Sequence, residues 1–202
     1  MSWRNKRVEH QEARQVMINQ YRKQFLLAIR QRKIELALTC FRKLQQMLIE
    51  EIELEESVYN LAGLCYYQVG NWKEARACFL VSYKMNSSDE NKACQYLKLL
   101  TEEAVKHHEE VESQVVSAIL EKKYRKAEKL LKQSRKVEAT IRNDLLLGLC
   151  QYGRRKELGA LICFKDALEK DPSNQIALRL IRSLKINNGG IGYLLWKTIM
   201  RY

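Results

Sequence analysis

The sequence predicts an all-α protein built from repeated helical hairpins, and three observations predict it. The 202 residues contain one Pro and eight Gly. Both residues break helices, Pro by removing a backbone donor and Gly by its entropy cost, so their scarcity favours long stretches of helix. Runs of alternating Val, Ile and Thr between turn residues, the mark of strands, are missing. Finally, one phrase recurs. Residues 59–79 read YNLAGLCYYQVGNWKEARACF and residues 144–164 read DLLLGLCQYGRRKELGALICF. In each, a Gly (Gly63, Gly148) precedes Leu-Cys (Leu64-Cys65, Leu149-Cys150), an Ala (Ala75, Ala160) follows twelve residues after the Gly, and a Phe (Phe79, Phe164) four residues later.

The elements follow from these anchors. Four hairpins are placed by a small residue in their second helix, Ala37, Ala75, Ala127 or Ala160, with Phe41, Phe79, Leu131 or Phe164 one turn on. The small residue permits close helix approach and the large one fills the space beside it. Only the second and fourth hairpins carry the Gly. The first has Phe25 in its place and the third has Val115. A first module, 1–104, then contains hairpins at 12–50 and 56–86 and a lone helix at 89–104. A second module, 105–187, contains hairpins at 108–137 and 140–170 and a lone helix at 173–187. The lone helices align, NKACQYLKLL with QIALRLIRSL, pairing Ala93 with Ala177 and Leu100 with Leu184. Ser87-Ser88-Asp89 and Asp171-Pro172-Ser173-Asn174 precede them, with Ser or Asp available to cap. No breaker lies in TEEAVKHHEEVESQVVSAIL, so 89–121 reads as one helix or two. Both modules are expected to form one continuous array.

The recurring phrase resembles the tetratricopeptide repeat, W-x2-L-G-x2-Y, then A-x3-F, then P. Tyr59, Gly63, Tyr66, Ala75 and Phe79 carry the resemblance in the second hairpin. Gly148, Ala160, Phe164, Ala167 and Pro172 carry it in the fourth. The resemblance implies a right-handed superhelical solenoid that acts as a non-catalytic scaffold or adaptor, binding a partner on its concave face. Carried over position by position, that face holds Ser57, Asn60, Leu64 and Tyr67, and Arg142, Leu145, Leu149 and Tyr152. On the two degenerate hairpins it holds Asn19, Arg22, Leu26 and Ile29, and Glu109, Glu112, Val116 and Ile119. The deeper positions are apolar in all four hairpins, as a groove for a peptide or helix would be. The same residues would also suit internal packing. A carboxylate clamp of the chaperone-adaptor kind is disfavoured. Arg22 can replace its first Lys, but Leu26 and Leu61 stand where Asn is needed, and Glu112, Val116 and Leu146 are worse. A chaperone- or secretion-associated adaptor without the clamp stays open.

Charge gives the other reading. The net charge is +12, from 36 Lys+Arg and 24 Asp+Glu. Cations concentrate near the N-terminus and at Lys122, Lys123, Arg125, Lys126, Lys129 and Lys132. Acidic residues cluster at 50–56 and 102–112. Solvated helix surface explains most of this. A nucleic-acid-binding face is the alternative, and an acidic protein partner would also be steered by it. Cys40, Cys78 and Cys163 each precede the Phe of their hairpin, so they read as packing residues rather than metal ligands or disulfides. His107 and His108 lie among Glu103, Glu109, Glu110 and Glu112 and read as helix surface. No catalytic motif or cofactor motif appears, and no enzyme activity, metal or cofactor is expected. The first fifteen residues hold no apolar run of a secretory leader, and no apolar run is long enough to span a bilayer, so a cytoplasmic location is expected. Residues 188–202 follow a Gly-rich break with Tyr193, Leu194, Leu195, Trp196, Ile199 and Met200. Such a tail would cap the array or fill its groove, dock on a partner or lie on a membrane surface.

Overall fold

The computed structural model describes residues 3–47, 54–88, 90–137 and 139–186. These residues form ten α-helices and no strand: α1 (Trp3–Arg30), α2 (Ile34–Met47), α3 (Glu56–Val69), α4 (Trp72–Met85), α5 (Lys92–Leu99), α6 (Glu102–Leu120), α7 (Tyr124–Val137), α8 (Ile141–Gly153), α9 (Glu157–Lys170) and α10 (Gln175–Ile186). The order hairpin, hairpin, lone helix occurs twice. Consecutive helices pack within each hairpin, α5 packs on α4, and α10 packs on α9. The acidic run at 50–53, Asp89 and the tail from 187 onward lie outside the described residues.

All four hairpins turn the same way. One residue just past the first helix sits in the left-handed region: Gly70 (φ 93) directly after α3, and Arg32 (φ 56), Lys122 (φ 60) and Arg155 (φ 59) two residues past the ends of α1, α6 and α8. In each turn this residue's N–H donates three residues back, as Arg32 does to Ile29, Gly70 to Tyr67, Lys122 to Ile119 and Arg155 to Tyr152. The next N–H donates five back, from Lys33 to Ala28, Asn71 to Tyr66, Lys123 to Ala118 and Lys156 to Gln151. This is the Schellman arrangement that satisfies the carbonyls left over at a helix end.

The motif residues interlock. A Cβ added to Gly63 would lie 2.6 Å from Cε1 of Phe79, and one added to Gly148 would collide with the Phe164 ring. Both rings, and Ala75, Ala160 and Ala167, are buried. The hairpins without the Gly compensate differently. In the first, Phe25 meets Phe41 at 6.0 Å with the rings tilted by 39°. In the third, Val115 faces a second helix that carries Leu131 instead of Phe, and both are buried. Tyr59 and Tyr66 set their edges on Phe41, at 5.9 and 6.3 Å, which joins the first hairpin to the second. Pro172 lies exposed in the turn before α10.

Several expected boundaries move. The first helix begins at Trp3 rather than residue 12. The segment 89–121 is two helices, and the break falls at Leu100–Thr101 rather than between 104 and 108. Thr101 Oγ1 accepts from the Ala104 N–H and Glu102 and Glu103 fill the first turn, a favourable helix start. Arg76 of α4 completes the break, its Nε donating to the Leu100 carbonyl at 3.0 Å and its guanidinium pairing with Glu102. The lone helices are capped by Asn rather than Ser or Asp. Asn91 Oδ1 accepts from Ala93 N and Asn174 Oδ1 from Ala177 N. Buried Asn91 also donates to Ser82 and to the Asn86 carbonyl and accepts from Asn60, tying α3, α4 and α5 together.

Candidate binding face and the seam between the halves

The groove positions taken from the sequence do not form one strip. On α1, Leu26 and Ile29 are half-buried against the core, and Arg22 pairs with Glu55 at the start of α3. On α3, Leu64 is likewise half-buried. Asn60 is committed to neighbours, donating to Glu56 at 3.0 Å and Asn91 at 2.9 Å. Tyr67 stands edge-on to Trp72 at 5.2 Å and Tyr96 at 5.3 Å, so an aromatic cluster holds it. Ser57 and Asn19 are exposed.

The equivalent positions on α8 are corrected. Leu145 and Leu149 are 1% and 0% exposed, so they are core and line no surface. The cause is that α8 is buried on every side, with 144–150 wholly inside, because α7, α9 and the end of α3 surround it. Its sequence carried part of the signal: residues 145–150 read LLLGLC without a polar side chain, where the matching stretch of α3, NLAGLC, has Asn60, and a helix segment apolar all round is a buried one. Tyr152, near the end of α8, is half-buried. In the third hairpin Ile119 is also core, Val116 is half-buried and Glu109 is exposed.

A polar seam that the sequence did not disclose joins the two halves. Asp171, fully buried in the turn after α9, accepts from the Ile34 N–H at 3.1 Å and the Glu35 N–H at 2.9 Å. A carboxylate thus caps the start of α2 from more than 130 residues away, where the local sequence offers only Lys33. Glu35 reciprocates, accepting from the Gln175 N–H at 2.8 Å. Further along, Gly70 packs against Thr140 and Arg142, close enough that a Cβ would sit 3.1 Å from Thr140 Oγ1. Trp72 stacks on His108 at 4.4 Å and 22°. Arg142 pairs with Glu112, and both are mostly shielded. Burial raises the Glu112 carboxyl above its ordinary value, Arg142 opposes that shift, and Glu109 adds to it.

Two clefts open along the seam. One, about 290 Å³, is bounded by Gly70, Trp72, Glu109, Glu112, Val116 and Arg142. The other, about 390 Å³, is bounded by Glu35, Arg42, Val69, Asp171, Asn174 and Ile176. Their walls mix charge with apolar surface. Among the described residues no three His, Cys, Asp or Glu converge as metal ligands. Cys40, Cys65, Cys78, Cys150 and Cys163 are buried and Cys94 is half-buried. Burial pushes the thiols of Cys65, Cys78 and Cys150 up to about 12, which removes them as nucleophiles.

The predicted basic patch is wholly exposed on and before α7. Two of its cations are engaged, Lys123 with Glu121 at 2.6 Å and Lys132 with Glu128 at 2.7 Å. Glu128 is buried and also receives Arg154 and Gln151. The hydrogen bond from Lys132 is the main reason its carboxyl is held below the ordinary value.

No family profile matches the chain, and no curated protein sequence does. One solved structure, of the MamA RS-1 ArsTM double mutant, aligns over 92% of this chain and 93% of its own at 14% identity and a TM-score of 0.36. No described helix is long and apolar enough to cross a membrane.

Proposed function

We propose that the protein is a non-catalytic interaction scaffold that receives an apolar or amphipathic segment of a partner protein on the α1–α3 face. The observation that carries this reading is an asymmetry between the halves. Leu145 and Leu149 are consumed as core, while Leu26, Ile29 and Leu64 are left half-covered beside the Arg22–Glu55 pair. Half-covered apolar residues near a charged pair fit an amphipathic segment, and the repeat pattern supplies a rigid support for it. The surplus of cations would speed capture of an acidic partner.

The test compares the wild-type chain with a Leu26→Asp/Leu64→Asp variant as bait in a lysate of the source cell, with and without nuclease, read by mass spectrometry. The expected result is a defined protein set that survives nuclease and is lost with the variant, while circular dichroism of the variant stays unchanged. A set that is the same for both baits refutes the face. Collapse of helicity in the variant makes these residues core. A set that vanishes with nuclease transfers the function to nucleic acid.

A further inference from the structure

The cleft bounded by Gly70, Trp72, Glu109, Glu112, Val116 and Arg142 carries a local charge opposite to that of the whole chain. The net charge of the chain is +12, yet this cleft holds two carboxylates and a single guanidinium. Arg142 is committed to Glu112. That pair is shielded, with 13% of the Arg142 side chain and 26% of the Glu112 side chain exposed. Glu109 lies one helical turn before Glu112 on α6, is exposed, and has no cationic partner among the described residues. Its charge adds to the shift that burial imposes on Glu112, so the two carboxylates sense each other. One guanidinium therefore answers two acids.

Size and lining restrict what fits. A volume of about 290 Å³ is at the lower end for pockets that enclose a whole ligand, and suits one long side chain with a few waters. An anion would meet Glu109 and Glu112, while the cation that could receive it is already paired. A neutral apolar group would cover these charges and strip their water without replacing it. A metal ion needs converging ligands, and no three His, Cys, Asp or Glu converge among the described residues. An organic cation on an apolar stem meets every condition. Its charge answers the second carboxylate, and its methylenes lie along Val116 and Trp72.

We infer that this cleft receives the side chain of a Lys or Arg carried by a partner protein. Once it is filled, two carboxylates face two cations: Arg142 keeps Glu112, and the incoming charge meets Glu109 beside them. The set is then neutral, which removes the repulsion between Glu109 and Glu112. The cleft is distinct from the α1–α3 face. No residue of α1 lines it, and it begins at Gly70, the first residue past α3.

Amide NMR spectra of the full chain test this, following the backbone N–H of Gly70 and Asn71 and the indole N–H of Trp72. The probes are N-acetylargininamide, its uncharged isostere N-acetylcitrullinamide, and N-acetylglutamate. Saturable shifts of these signals are expected with the arginine probe alone, and the affinity should fall with salt. Glu109→Gln should weaken binding about fivefold, the effect of removing one exposed ion pair. Glu109→Lys sets an ammonium of the chain itself beside the cleft and should weaken it about tenfold or more, by repulsion as well as loss. Glu109 is exposed and unpaired, so neither change should lower the thermal midpoint, and lost binding is then not lost fold. Leu26→Asp/Leu64→Asp should bind the arginine probe as wild type does, so failure of the α1–α3 face and failure of this cleft are read separately. No saturable shift, an equal response to the citrulline probe, or unchanged affinity in Glu109→Gln overturns the proposal. So does a response to N-acetylglutamate, which assigns the cleft to an anion through Arg142, or tighter binding of spermidine than of the arginine probe, which assigns it to a free polyamine.

Discussion

Gly63→Ala is the sharpest probe of the hairpin interlock, because two effects of opposite sign act on one methyl group. In an exposed helix the change would stabilise by about 1 kcal/mol, the propensity difference between Ala and Gly. Here the new Cβ would lie 2.6, 2.8 and 2.9 Å from three atoms of the Phe79 ring. That is about 1 Å inside ordinary carbon contact. The ring has little room to yield: it is fully buried and stacks on Tyr96 at 4.7 Å and 7°. Overpacking of a rigid core costs up to about 3 kcal/mol. The net expectation is a loss of about 2 kcal/mol, and for a chain of this size a thermal midpoint lower by about 4–8 °C. Urea unfolding and thermal scans followed by circular dichroism measure both. The third hairpin indicates the remedy, since its larger Val115 is matched by the smaller Leu131. Gly63→Ala combined with Phe79→Leu should therefore cost less than the sum of the single changes, a coupling that a double-mutant cycle reads directly. A Gly63→Ala protein as stable as wild type, or more stable, would refute the interlock and leave propensity as the only effect.

Two further outcomes are expected. Asp171→Ala leaves two amides of α2 and Ser173 without their acceptor, and should cost about 2–3 kcal/mol by urea unfolding; a loss below about 0.5 kcal/mol would mean that Asp171 does not hold the seam. Alkaline pH should destabilise the fold, because Cys65, Cys78 and Cys150 titrate near 12 when folded and at the ordinary 9.0 when unfolded. With the folded pKa the higher one, their stabilisation is complete below pH 9 and is lost as pH rises toward 12. Each thiol contributes a slope of up to about 1.4 kcal/mol per pH unit within that window. Replacing all three by Ala should flatten the urea midpoint's fall above pH 9, and an unchanged fall would locate the alkaline sensitivity elsewhere.

The sequence by itself determined what is local or periodic. Helix content follows from the scarcity of Pro and Gly. The pairing of Gly63 with Phe79 and Gly148 with Phe164 was legible because the same spacing occurs twice, and a repeated spacing implies a repeated contact. The start of α6 was not read from the sequence: the absence of Gly and Pro concealed the break, and the expected helix ran on through Thr101-Glu102-Glu103 to 104. The tertiary structure alone decided which repeated positions face solvent. Leu64 and Leu149 share one motif position, yet one is half-covered and the other is core, because a helix's surroundings depend on what packs over it. For α8 that covering is α7 and α9, with the end of α3 from the other half closing it. The two halves are joined by Asp171 capping α2 and by His108 stacked on Trp72, while Arg142 meets Glu112 within the second half. Each of these is a single polar or aromatic contact between residues far apart in sequence, with no periodicity to announce it. Such contacts rest on distance and desolvation, which only the folded chain defines.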